Sequence, residues 1–114
     1  MGKKIFFALL LSSFILNAHP PKSIDLSYDA VKMELAVKVW HKSGNPESHF
    51  IDKITVLLGD ESLAEKTYSK QQSGEYQEEI FVFNAKPLKK GDLVKVRASC
   101  NKFGKKTVTL EWPK

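Results

Sequence analysis

Cysteine is scarce in this chain, because Cys100 is its only copy in 114 residues. A single cysteine cannot form an internal disulfide, so no disulfide framework holds the fold together. In an oxidising compartment such a thiol has to be buried, bound to a metal or paired with another molecule. The low cysteine content therefore excludes the class of small disulfide-stapled domains, and it slightly favours a metal site.

Several other patterns are absent, and each absence excludes a class of protein. The chain has no glycine-rich phosphate-binding loop, no nucleophile elbow and no Ser-His-Asp arrangement, so neither a kinase nor a hydrolase is indicated. It has no long stretch of helical periodicity, no internal repeat and no low-complexity linker. Its 18 Lys and Arg residues are interspersed with 13 acidic residues, without the basic stripe and exposed aromatics of a nucleic-acid groove. We therefore expect no nucleic-acid partner.

Residues 1–18 predict a secretory signal peptide. Lys3 and Lys4 give a positive start, an apolar run follows to Leu16, and Ala18 is a small residue suited to cleavage. The apolar run has about 12 residues, whereas a membrane-spanning helix needs roughly 20, so a retained anchor is the weaker alternative. No cysteine lies near the cleavage point, which disfavours a lipid-modified N-terminus. We expect residues 19–114 to form one domain that does not span the membrane, in the periplasm or outside the cell.

Alternation of apolar and polar residues, with a period of two, predicts β-strands along most of the chain after Ala18. Seven segments are predicted as strands: 24–28, 31–39, 50–58, 62–68, 76–83, 93–100 and 107–112. Turn residues such as Gly59-Asp60 separate them. About seven short strands at this spacing predict an all-β fold, an antiparallel β-sandwich. The consecutive apolar residues of segment 80–83 further predict a strand that is covered on both faces.

Four residues that can bind a transition metal lie next to predicted strand ends. They are His19, His41, His49 and Cys100, which are all the histidine and cysteine residues of the chain. Imidazole nitrogen with one thiolate suits iron, copper or zinc rather than magnesium or calcium. A metal site built from these four residues is one hypothesis. The alternative is that the histidines lie unrelated on the surface and that the thiol is an inert part of the core.

Cleavage after Ala18 would make His19 the N-terminal residue and give it two nitrogen donors, the α-amine and the ring. Because Pro20 has no backbone N–H, a metal could not also recruit an amide at the second position. This arrangement resembles the copper-binding histidine brace of some exported proteins. It makes copper an alternative to iron as the bound metal.

The order of these residues also resembles a known family of iron proteins. The resemblance rests, in chain order, on His19-Pro20-Pro21, His41 with Pro46, His49-Phe50-Ile51, and Cys100-Asn101 with Gly104. These are similar to the motifs of the iron domain of superoxide reductases, the desulfoferrodoxin and neelaredoxin family, and the similarity spans residues 19–114. It implies an immunoglobulin-like sandwich that holds Fe²⁺ with imidazoles and one axial thiolate, leaving a position open to superoxide. The ligands it implies are His19, His41, His49 and Cys100.

Two departures from the family pattern bear on function. Phe103 stands where the family's fourth histidine would stand, and Asn17-Ala18 replaces the Glu-Lys pair before the first histidine. Water would take the vacant position, or the α-amine of His19 if cleavage falls after Ala18. The alternative is that Phe103 caps the site with an apolar wall that restricts solvent. A lysine before the first histidine would attract the superoxide anion, so its loss favours an exported iron- or copper-binding protein for storage, delivery or sensing. One alternative is an active superoxide reductase, which would convert superoxide to hydrogen peroxide with an unidentified electron donor. The other is a metal-free immunoglobulin-like interaction module.

Overall fold

Seven β-strands form in this computed structural model, which describes residues 20–83 and 88–112. They follow the alternating segments of the sequence except at 31–33, where a turn with Val31 93% exposed replaces the predicted start of the second strand. The strands are β1 (Ser23–Asp29), β2 (Glu34–Trp40), β3 (Ile51–Leu58), β4 (Glu61–Thr67), β5 (Tyr76–Val82), β6 (Asp92–Cys100) and β7 (Lys105–Trp112). The predicted signal peptide and His19 lie outside the described residues. Within the described ranges, no helix has the length and apolar character needed to cross a bilayer.

The strands are arranged in two antiparallel sheets that pack against each other. One sheet has the order β1-β2-β5 and the other has the order β4-β3-β6-β7. The chain crosses from one sheet to the other after β2, β4 and β5, whereas β1–β2, β3–β4 and β6–β7 are successive strands of the same sheet. The prediction of an all-β, immunoglobulin-like antiparallel sandwich of about seven strands is confirmed.

The core lies between the two sheets and follows from the period of two. In β2, Leu35, Val37 and Val39 are at most 1% exposed, and in β6 Val94 and Val96 are fully buried. Each such side chain contributes roughly 1.5–3 kcal/mol when it leaves water. The buried core cluster consists of Ile24, Leu35, Val37, Val39, Ile51, Ile54, Val56, Phe81, Phe83, Val94, Val96 and Ala98. The inward faces of the strands therefore supply the free energy that holds the sheets together.

Strand β5 corrects one prediction from the sequence. Phe81 is buried, but Ile80 and Val82 are 55% and 54% exposed. β5 is the edge strand of the three-stranded sheet, and side chains on its outer face point away from the core. The expectation that segment 80–83 is covered on both faces is therefore wrong, because these apolar residues alternate between the core and the solvent.

One end of the sandwich gathers the loops that matter for function. Neighbouring strands are antiparallel, so the ends of β2, β4 and β6 lie beside the starts of β1, β3, β5 and β7. Segments 20–22, 41–50, 68–75 and 101–104 consequently meet at this end, which we call the loop end. Backbone hydrogen bonds join them, from Gln71 N–H to the Pro46 carbonyl and from Asn101 N–H to the Phe50 carbonyl, 2.9 and 3.0 Å long.

Candidate metal centre

His41 continues the inward side of β2 by one further step of the alternation. It follows Leu35, Val37 and Val39 at the same spacing of two, and it is only 1% exposed. Its backbone N–H donates to the carbonyl of Glu75 over 2.9 Å. The alternation of β2 therefore places the His41 imidazole at the loop end, on the buried side of the strand.

His49 lies just before β3, in a loop that its own polar residues hold in shape. The N–H groups of Ser48 and His49 both donate to the carbonyl of Asn45, over 3.0 and 2.9 Å. The hydroxyl of Ser43 donates to the carbonyl of His49 over 2.5 Å. The backbone of His49 is thus fixed through both its N–H and its C=O, which limits the positions that its ring can reach.

Cys100 is the last residue of β6 and is 7% exposed. It shares the inward register of Val94, Val96 and Ala98, as the sequence pattern predicts. Its N–H donates to the carbonyl of Gly104 over 2.9 Å, which closes a tight turn after the strand. The sulfur therefore faces the interior at the loop end.

Asn101 connects the Cys100 strand to the His49 loop. Its Oδ1 accepts the N–H of Phe50 over 2.8 Å, and its Nδ2 donates to the carbonyl of Ser48 over 3.0 Å. Ser48 and Phe50 are the residues on either side of His49. One amide side chain therefore holds the His49 segment against the residue that follows Cys100. Asn101 stands in the Cys100-Asn101 motif, where the sequence alone indicates no role for it.

These placements bring three of the four predicted ligands together. One potential ligand atom from each of His41, His49 and Cys100 lies within 4.8 Å of the other two. The rings of His41 and His49 are nearly perpendicular, with centroids 4.7 Å apart and an interplanar angle of 84°. His41 directly follows β2 of the three-stranded sheet, whereas His49 precedes β3 and Cys100 ends β6, both strands of the four-stranded sheet. His19, the fourth predicted ligand, lies outside the described residues.

The donor set fits a transition metal. Metal–nitrogen and metal–sulfur bonds of about 2.0–2.3 Å place neighbouring ligand atoms roughly 3–4 Å apart, so the three groups need only a small movement to share one ion. Two imidazoles and a thiol suit iron, copper or zinc, while the group contains none of the oxygen donors that magnesium and calcium require. That the three residues hold a metal stays a prediction.

Pro20 is the first described residue, and it lies against the turn after Cys100. Gly104 has a φ of +94°, and a Cβ on it would lie 2.6 Å from the Cβ of Pro20. Two residues later, the N–H of Lys22 donates to the carbonyl of Trp40 over 2.7 Å. The chain therefore enters the sandwich between the turn that follows Cys100 and the strand that ends before His41.

Phe103 is a partly exposed residue of the turn that follows Cys100. Its side chain is 54% exposed, so it is not part of the buried core. That Phe103 forms an apolar wall beside the metal stays a prediction.

Tyr68 and Gln71 are polar residues of the loop end that the sequence analysis did not single out. Tyr68 donates its hydroxyl to Glu79 Oε1 over 2.7 Å, and this contact links the segment after β4 to β5. Burial, and then the hydrogen bond and the negative charge of Glu79, raise the pKa of Tyr68 above its usual value.

Gln71 is 4% exposed, and its Oε1 lies 2.7 Å from Nδ1 of His41. A single polar residue between two strands gives no periodic signal, so neither role was visible in the sequence.

No family model, curated protein or solved structure matches this chain. Function is therefore inferred from the chemistry of the residues at the loop end.

Proposed function

We propose that this protein binds a transition-metal ion through His41, His49 and Cys100, with His19 as a fourth protein ligand. The observation that carries the proposal is the convergence of the first three at one point of the fold. The chain has only three histidines and one cysteine. Unrelated residues of these rare types have no reason to meet, whereas a metal site requires them to do so.

The position of Pro20 supports His19 as the fourth ligand. His19 is joined to Pro20 by one peptide bond, so their α-carbons are about 3.8 Å apart. Pro20 itself packs on Gly104, whose carbonyl accepts the N–H of Cys100. The residue that follows His19 in the chain therefore lies against the turn after Cys100, and this position supports the proposal. If residues 1–18 are cleaved, its α-amine also becomes available as a nitrogen donor.

Export is part of the same proposal. The positive start, the short apolar run and the small residue at Ala18 support cleavage of residues 1–18 as a signal peptide. We place the domain formed by residues 19–114 in the periplasm or outside the cell.

We propose iron as the bound metal because of the resemblance to superoxide reductases. Copper is the alternative, since a nitrogen-rich ligand set with one thiolate also suits it. Bound in this way, iron or copper supplies one-electron redox chemistry. The chain holds the ion through residues that are largely shielded from water, with His41 at 1% and Cys100 at 7% exposure. The Glu-Lys pair of the active enzymes is missing before His19, so we propose storage, delivery or sensing of the metal rather than rapid reduction of superoxide.

The test is metal reconstitution of the protein exported with its own signal peptide, after its N-terminus has been determined by mass spectrometry. Samples are loaded with Fe²⁺ without oxygen, or with Cu²⁺, and analysed for metal content. Visible absorption is recorded on the Cu²⁺ samples and, for iron, on an aliquot oxidised to Fe³⁺. We expect one equivalent of metal and a thiolate-to-metal band in the wild type. His41→Ala and Cys100→Ser should lower the metal content, while Lys42→Ala, next to His41 but exposed, serves as the matched control. Equal metal contents in all four proteins would refute the proposed centre.

The same samples distinguish metal binding from enzymatic activity. Loaded protein is mixed with a calibrated flux of superoxide, and both superoxide loss and peroxide formation are followed. We expect the wild-type protein to consume superoxide no faster than the Cys100→Ser variant does with the same metal. Rapid, stoichiometric peroxide formation that depends on Cys100 would instead establish an active superoxide reductase.

A further inference from the structure

Gln71 is a buried amide at the loop end with an unusually complete set of hydrogen bonds. Its Nε2 donates to the carbonyls of His41 and Ser73, both over 2.8 Å. Its Oε1 accepts the N–H of Ile51 over 3.0 Å and lies 2.7 Å from Nδ1 of His41. Both hydrogens and both lone-pair sites of the amide are therefore engaged.

These partners determine the orientation of the amide group. Two carbonyl oxygens face one end of the side chain, and carbonyl oxygens only accept hydrogen bonds. The N–H of Ile51 faces the other end, and it only donates. A reversed amide would place its NH₂ against this N–H and its oxygen against two carbonyls, so only the observed orientation satisfies every group.

The orientation of Gln71 in turn determines which nitrogen of His41 carries the proton. An amide oxygen cannot donate, so Nδ1 of His41 has to be the donor in the 2.7 Å contact. A neutral imidazole has a single N–H, and Nε2 is then the nitrogen with the lone pair. We propose that Gln71 is a positioning residue that selects Nε2 of His41 as the metal ligand.

The Gln71 amide also connects His41 to the segment that carries His49 and to the strand partner of Cys100. Ile51, which donates to Oε1 of Gln71, is two residues after His49 and is the register partner of Cys100 across β3 and β6. One oxygen atom therefore holds the ring of His41 and the start of the strand beside Cys100. Partners of this kind on the second nitrogen of a ligating histidine typically change metal affinity by 10–100-fold when they are removed. The inference rests on the metal site of the proposed function and assigns Gln71 its role there.

The first test uses the wild-type protein, so it does not depend on whether a variant folds. Long-range ¹H–¹⁵N NMR spectra of the ¹⁵N-labelled protein report which ring nitrogen of each histidine is protonated, first without metal and then with Zn²⁺ as a diamagnetic probe. We expect His41 to carry its proton on Nδ1 in both samples and Zn²⁺ to shift its Nε2 resonance. A proton on Nε2 in the metal-free protein, or coordination of Zn²⁺ through Nδ1, would overturn the assignment.

The second test separates positioning from simple structural support. Gln71→Leu removes the acceptor and the donors, whereas Gln71→Glu keeps an acceptor for Nδ1–H and for Ile51 but loses the two donated hydrogen bonds. We expect Gln71→Leu to raise the Kd for Zn²⁺ by about 10–100-fold and to give a mixture of His41 tautomers. Gln71→Glu should retain the Nδ1–H tautomer and a Kd closer to that of the wild type, even if its Tm falls.

Gln77→Leu is the matched control, because Gln77 is a buried amide on β5 that accepts the N–H of Gln72 over 2.7 Å. It should lower the Tm without changing the Kd for Zn²⁺ or the His41 tautomer. Equal Kd values for Gln71→Leu and Gln77→Leu would refute the role of Gln71. A wild-type protein that binds no Zn²⁺ would instead refute the metal site itself, so the two failures are distinguishable.

Discussion

Replacing Gly104 with alanine should destabilise the protein more than the same replacement at Gly91, although the two residues have nearly the same φ. Gly104 has a φ of +94° and Gly91 a φ of +93°. Alanine is strained in this region, and the strain costs about 1–3 kcal/mol at either position. The two sites differ in their surroundings, and this difference is what the experiment measures.

The additional cost at Gly104 comes from Pro20. The new Cβ would lie 2.6 Å from the Cβ of Pro20 and 3.2 Å from its Cα, whereas a Cβ on Gly91 meets nothing within 4 Å. Carbon atoms normally approach to about 3.5–4.0 Å. Relief of such overlap in a packed region costs about 1–3 kcal/mol. We therefore expect Gly104→Ala to lower the free energy of unfolding by about 1–3 kcal/mol more than Gly91→Ala does.

The assay is urea unfolding of both variants and the wild type, followed by circular dichroism, with metal affinity as a second measurement. The overlap can be relieved if Pro20 moves away, which would also carry His19 away from the other ligands. Metal affinity should consequently fall for Gly104→Ala and stay unchanged for Gly91→Ala. Equal losses of stability would show that Pro20 does not pack on Gly104. Unequal stability with equal metal affinity would remove the support for His19 while leaving the three-residue centre intact.

Four other perturbations give equally direct results. Cys100→Ser should abolish any thiolate-to-metal absorption band and leave the circular dichroism of the sandwich unchanged; persistence of the band would exclude the sulfur as a ligand. Addition of one residue before His19 should weaken metal binding if the α-amine is a ligand, and calorimetry that finds no change would restrict His19 to its ring. Phe103→His should shift the spectrum and the rate of superoxide consumption toward those of superoxide reductases, and no shift would show that position 103 is not that of the missing ligand. The pKa of Tyr68 is raised above its usual 10, so above pH 10 the folded state retains a proton that the unfolded state loses, and stability should fall as the pH rises. Tyr68→Phe should weaken this pH dependence of the free energy of unfolding in urea titrations at pH 9 to 11. An unchanged pH dependence in the variant would show that Tyr68 is not its cause.

The strands of this protein were predictable because its core has two layers. A strand that buries one face shows a period of two, and in β2 and β6 this period runs through Leu35, Val37 and Val39 and through Val94 and Val96. The exposure of Ile80 and Val82 was not predictable from the same pattern. A run of apolar residues does not reveal whether another layer covers the outer face of an edge strand.

The candidate site was partly predictable for a different reason. Histidine and cysteine are rare in this chain and stand beside strand ends, so a meeting of His41, His49 and Cys100 could be expected. Antiparallel pairing of β3 with β6 accounts for His49 and Cys100, whereas His41 reaches them because the two sheets pack face to face. Gln71 could not be found in this way, because its role depends on contacts with residues from three separate segments. The half-exposed state of Phe103 likewise depends on the path of one turn, which local sequence does not specify.

Because the proposed ligands come from the ends of strands in both sheets, metal binding would change how firmly the two sheets are held together. With one cysteine, no internal disulfide can join the layers, but an ion held by His41 and Cys100 would act as a reversible coordination cross-link between them. A ligand that binds only the folded state stabilises it by about 2.7 kcal/mol when its free concentration is 100 times the Kd. Resistance of this domain to proteases and to heat would then rise and fall with the metal content of its compartment, which couples the lifetime of the protein to the supply of its own ligand.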